Sequence, residues 1–69
     1  MQVTAELTGN LWKIVVQEGQ QVGAEETLMI LESMKMEIPV NAPKAGRVTR
    51  IHVQEGQTVH EGQLLAEIE

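Results

Sequence analysis

Leu11-Trp12-Lys13-Ile14-Val15-Val16-Gln17-Glu18-Gly19-Gln20 and Val48-Thr49-Arg50-Ile51-His52-Val53-Gln54-Glu55-Gly56-Gln57 are two copies of one pattern, a short apolar or alternating run closed by Gln-Glu-Gly-Gln. Each run has the length and composition of a strand, and each glycine-containing tetrapeptide is a turn signal. Gly19 and Gly56 fall where a tight turn requires a positive φ, which costs a residue with a side chain far more than glycine. The copies lie 37 residues apart, and that offset lays Val3–Glu32 on Val40–Glu69 without a gap. Twelve of the thirty aligned positions are identical, among them Gly9/Gly46, Ile14/Ile51, Glu18/Glu55, Val22/Val59 and Leu28/Leu65, so the chain is a tandem of two related halves.

Two units are too few for a solenoid, which needs at least about three to bury a continuous core. The halves are therefore expected to clasp each other about a pseudo-twofold axis. Each offers about four short strands. The predicted fold is all-β, a flattened eight-strand barrel-sandwich of two four-stranded antiparallel sheets, with residues 1–69 as a single domain.

Composition narrows the function classes. A chain of 69 residues buries only a modest core and leaves no room for a separate catalytic lobe. It has no cysteine, hence no disulfide framework and no thiolate metal site. Ten acidic residues against five basic give a formal charge of -5, which repels a phosphate backbone, so no nucleic-acid partner is expected. There is no basic segment followed by an apolar run at the start and no apolar stretch of spanning length, so neither a membrane partner nor a signal peptide is expected. A cytoplasmic location follows by default.

Apart from Met1-Gln2 at the start, only Ser33-Met34-Lys35-Met36-Glu37-Ile38-Pro39 stands outside the repeat. In a pseudo-symmetric pair of sheets this junction is a hairpin near the axis, and Lys35 is its exposed tip. A primary amine on a four-carbon stem at such a tip reaches into another protein's active site, and when deprotonated it attacks an activated acyl group. Strict alternation would place Glu32, Met34 and Met36 on one face of an extended strand, so a tight turn is the better account of an apolar pair around a lysine.

Glu32-Ser33-Met34-Lys35-Met36-Glu37 resembles the modification motif of the biotinyl domains of biotin-dependent carboxylases, in which the lysine lies between two methionines. The resemblance extends to Ala42-Pro43-Lys44-Ala45-Gly46, to Val53-Gln54-Glu55-Gly56-Gln57-Thr58-Val59 and to Gly62-Gln63-Leu64-Leu65. It implies a biotin carboxyl carrier or a biotin/lipoyl attachment protein, with the same barrel-sandwich that the repeat suggests. By that resemblance Lys35 is the covalent biotin attachment site, Met34 and Met36 flank it for recognition, and Glu32 and Ser33 complete the motif. The implied partners are a biotin protein ligase, a biotin carboxylase and a carboxyltransferase, with carboxybiotin carried between the last two. Three positions depart from the family pattern: Ser33 in place of alanine, Glu6 in place of proline, and Glu25 where the second half has Gly62. The inserted protrusion of some bacterial carriers is missing.

The same residues admit other readings. Lipoyl carriers of 2-oxoacid dehydrogenase or glycine-cleavage systems share this fold and place lipoate on a hairpin lysine, but acidic and small residues usually flank it, where this chain has Met34. An unmodified interaction module would make the methionine pair mere packing. A turn-tip lysine is ordinarily a solvated charge, and the junction position with paired methionines is what favours attachment here. Glu32 and Glu37 could pass for an acid/base pair, yet a hairpin has no apolar pocket to raise one carboxyl pKa. His52 and His60 lack metal-ligand spacing and read as surface residues. Trp12 reads as a sheet-face or partly buried residue. No catalytic residue and no metal ligand is assigned, so the chain is expected to be a carrier and not an enzyme.

Overall fold

The computed structural model describes residues 1–69. Eight strands follow in chain order: β1 (Gln2–Thr4), β2 (Gly9–Ile14), β3 (Gln21–Val22), β4 (Thr27–Ser33), β5 (Met36–Asn41), β6 (Gly46–Ile51), β7 (Thr58–Val59) and β8 (Leu64–Ile68). They form two four-stranded antiparallel sheets, ordered β1-β8-β6-β3 and β5-β4-β2-β7. The eight-strand, two-sheet sandwich expected from the repeat is the fold observed. No helix is long and apolar enough to cross a membrane.

The repeat explains the topology. Advancing β1 to β4 by 37 residues gives β5 to β8, and applying that exchange to one sheet's strand order returns the other's. Each sheet thus takes two strands from each half. The pairings β1 with β8, β2 with β7, β3 with β6 and β4 with β5 all join one half to the other. Neither half can bury its apolar faces alone.

The core obeys the same symmetry. Its 15 buried residues include the aligned pairs Ala5/Ala42, Leu11/Val48, Val16/Val53, Val22/Val59, Leu28/Leu65, Met29/Ala66 and Leu31/Ile68. The remaining one, Val3, aligns with Val40, which packs half-buried against the cluster. All fifteen side chains are apolar, so none brings a desolvation cost into the interior. Burying a Val, Leu or Ile side chain is worth about 1.5–3 kcal/mol, and here burial must stabilise the fold without a disulfide.

Strict alternation fails at matching places. The ladder of β2 slips between Leu11 and Lys13 and that of β6 between Val48 and Arg50. The extra residues, Trp12 and Thr49, are aligned in the repeat, and Trp12 is 50% exposed. A second pair of slips, Thr27/Met29 against β5 and Leu64/Ala66 against β1, lets consecutive residues Leu28-Met29 and Leu65-Ala66 both face the core.

The turns are reciprocal across the halves. Gly19 and Gly56 hold φ of 91° and 88°. The Gly19 N–H donates to the Val48 carbonyl, and the Gly56 N–H donates to the Leu11 carbonyl. The neighbouring carboxylates follow suit: Glu18 Oε2 accepts from the Ile51 N–H and Glu55 Oε2 from the Ile14 N–H, each at 2.9 Å. These two turns are therefore each fastened to a strand of the other half.

Candidate attachment site

Strands β4 and β5 meet in register Leu31↔Ile38, Glu32↔Glu37 and Ser33↔Met36, which leaves Met34-Lys35 as a two-residue turn. Both residues have positive φ, 52° and 65°. A two-residue hairpin favours this arrangement because its twist matches that of the strands, and Asn-Gly is the usual occupant. Here two residues with long side chains occupy it, at a cost on the order of 1 kcal/mol each. The tip expected from the sequence is thus present, and tighter than the sequence alone discloses.

The hairpin is held from below. Its first strand, β4, lies between β5 and β2 and contributes Leu28, Met29 and Leu31 to the core. Its second strand is an edge, which accommodates Pro39 and its missing N–H. Beside the base, Gly9 approaches so closely that a Cβ there would lie 2.8 Å from the Glu32 carbonyl oxygen. Asn10 pairs with Glu32 in the ladder and accepts at Oδ1 from the Thr58 hydroxyl at 2.9 Å. Thr8 Oγ1 accepts from the Glu61 N–H at 3.2 Å. Sequence reading passed over these supports, although the identity of Gly9 with Gly46, which stands in the same relation to Glu69, marks the close approach.

Lys35 is exposed, and its ammonium makes no ion pair; the two ion pairs of the molecule are Arg47–Glu69 and His52–Glu67. Met34 is 92% and Met36 64% exposed, an apolar pair standing in solvent on either side of the amine. Ser33 is half-buried, whereas Glu32 and Glu37 are exposed and face each other across the ladder. His52 Nε2 lies 2.7 Å from Glu67 Oε2, and His60 is an exposed turn residue. The arrangement offers an unencumbered amine on a short, rigid turn, open on all sides to an external active site. Such an amine suits acylation by another protein.

Comparison with known proteins follows the same line. A family model described as "Biotin-requiring enzyme", of the biotin/lipoyl type, matches residues 1–68. The chain is 44% identical over 68 residues to the Biotin/lipoyl attachment protein of Bacillus subtilis, covering 99% of this chain and 93% of that protein. It is 46% identical over 66 residues to the Biotinylated protein TB7.3 homolog of Mycobacterium leprae, covering 96% and 93% respectively. Among solved structures, the urea carboxylase of Kluyveromyces lactis superposes with a TM-score of 0.94 at 38% identity, over all of this chain and 6% of that one. The same fold and size thus occur as small separate proteins and as a minor portion of a large carboxylase.

Proposed function

We propose that this chain, which belongs to the biotin/lipoyl family of biotin-requiring enzyme domains, is a biotin carboxyl carrier domain whose biotin is attached as an amide to Lys35. The observation that carries the reading is the exposed Met34-Lys35 turn, with the lysine free of ionic partners and flanked by exposed methionines. Residues 1–69 act as one biotinyl domain, and its place is the cytoplasm, with a biotin protein ligase, a biotin carboxylase and a carboxyltransferase as successive partners.

The protein's own part is to position, not to catalyse. Its attached biotin supplies the carrying chemistry for a carboxyl group. Lys35 Nζ, as the neutral amine, attacks the acyl carbon of a biotinyl adenylate delivered by the ligase; the N–C bond forms as the acyl–phosphate bond breaks, AMP departs and the nitrogen gives up a proton, so the resulting amide removes the lysine's positive charge. Met34 and Met36 supply apolar contact to the visiting active site, and Glu32 and Ser33 hold the base of the turn. Tethering then raises the effective concentration of the cofactor at each partner without a tight interface.

Intact mass and peptide mapping after incubation with a biotin protein ligase test this reading. The expected result is one biotin amide, on Lys35. Lys35→Ala should abolish it with circular dichroism and melting unchanged, and Lys35→Arg should block it too, because a guanidinium is not deprotonated in proteins. Folded wild-type protein that takes no biotin would reject the proposal. Modification by a lipoate ligase alone would assign the hairpin to the other branch of the family.

A further inference from the structure

The tip carries a second modification chemistry, in its sulfur atoms. Of the four methionines, Met29 is fully buried in the core, whereas Met34 and Met36 are 92% and 64% exposed on either side of Lys35. An apolar side chain standing in water gains nothing from burial in the free domain. At Met34 a left-handed backbone adds a further cost. Contact with a visiting protein is where these side chains gain, and thioethers suit it, being flexible and polarisable. A leucine pair would offer similar apolar surface. A thioether differs from it in one reaction: an exposed methionine is readily oxidised to the sulfoxide, which is polar, chiral and enzymatically reversible.

We propose that Met34 and Met36 form a redox-sensitive gate on the loading of Lys35, open as thioethers and closed as sulfoxides formed by hydrogen peroxide. The inference rests on the carrier reading above. In each step one peroxide O–O bond breaks, its oxygen bonds to the methionine sulfur, and water leaves; the sulfur loses two electrons and the peroxide gains them. Return to the thioether takes two thiols, which become a disulfide as the oxygen departs in water. The fold tolerates the change because both side chains already face solvent and neither belongs to the core cluster. The partner's apolar contact does not, since it now meets an S=O dipole without a built hydrogen-bond donor. Met29, sealed in the core, is the internal standard that stays reduced while the domain remains folded. Met1 is 57% exposed and tests position. Strand β1 starts against the end of β8 and runs toward Leu64, and residues 5–8 then lead to Gly9 beside the hairpin, so Met1 lies at the far end of the molecule from Lys35.

The test treats folded, unmodified protein with hydrogen peroxide, removes the peroxide with catalase, maps the sulfoxides, and measures the initial rate of biotin transfer by a biotin protein ligase. Expected are one added oxygen on each of Met1, Met34 and Met36, none on Met29, an unchanged melting transition, and a loading rate lowered at least about tenfold. Treatment with both methionine sulfoxide reductases and a dithiol should restore the untreated rate. In Met34→Leu/Met36→Leu protein, peroxide still oxidises Met1 but should leave the loading rate equal to that variant's own untreated rate. Oxidised wild-type protein loading as fast as untreated protein would overturn the gate while leaving the carrier reading intact. Untreated wild-type protein that fails to load would reject the carrier reading itself.

Discussion

Glu25, Met34 and Lys35 are the three residues other than glycine that hold a positive φ, and the repeat separates their meanings. Glu25 aligns with Gly62, which has φ of 84° against 67° for Glu25, and both donate their N–H to an aligned alanine carbonyl, Ala42 and Ala5, at 2.8 Å. The two halves build the same turn, one with the residue that suits it. Glu25 is exposed and makes no side-chain hydrogen bond, so nothing offsets its strained backbone. Glu25→Gly should therefore stabilise the domain by about 0.5–1 kcal/mol, the relief of left-handed strain being partly cancelled by the added freedom of the unfolded chain. Urea unfolding at neutral pH checks this, and an unchanged or lowered midpoint would show that the strain is already relaxed. Met34 and Lys35 have no aligned counterparts. Their strain belongs to the one turn with a proposed task.

The hairpin of β4 and β5 is the element where stability and recognition pull apart. Glu32 and Glu37 lie opposite each other in its ladder, and like charges at such a pair are destabilising. Glu37→Lys converts the repulsion into an attraction and should stabilise the domain by about 0.5 kcal/mol. The gain should shrink in about 1 M salt, where the screening length is roughly 3 Å. A gain unaffected by salt would mean a cause other than the charge pair. Much of this element was legible in the sequence: the junction is the only internal segment outside the repeat, and a methionine pair about a lysine fits no half-buried strand. The hidden parts have physical reasons. Bulges at Trp12 and Thr49 break the period of two on which strand reading depends, and a register slip leaves no composition signal. The packing of Gly9 under Glu32 joins residues 23 positions apart in the chain, which local pattern cannot see. Glu25 stood out as a departure from Gly62, but its left-handed backbone appears only once the turn is built.

At the scale of the molecule, the pseudo-twofold axis makes testable pairs. Glu18 and Glu55 close the two halves with equivalent hydrogen bonds to Ile51 and Ile14. Glu18→Ala and Glu55→Ala should each cost about 1 kcal/mol, as for an exposed carboxylate satisfying an otherwise free backbone N–H, with Gln at either position restoring part of the loss. Markedly unequal costs would break the symmetry argument. The axis also makes the chain termini the counterpart of the hairpin, since β8 and β1 pair as β4 and β5 do, with Val3↔Ala66 matching Val40↔Met29. Between Glu32 and Val40 run seven residues; between Glu69 and Val3, Met1 and Gln2 already supply two, so five more complete the figure. A permuted chain that starts at Met36, joins Glu69 to Met1 through Ser-Met-Lys-Met-Glu and ends at Met34 should fold, because every strand pairing is kept and only the connection changes place. It carries its attachment motif at the opposite end, on the β8–β1 hairpin. If a tight turn with flanking methionines is what the biotin ligase reads, mass mapping will find biotin on the transplanted lysine. A permutant that melts cooperatively yet stays unmodified would mean that recognition needs the native surroundings of the turn, with Thr8, Asn10, Thr58 and Glu61 beside its base the first residues to transplant with it.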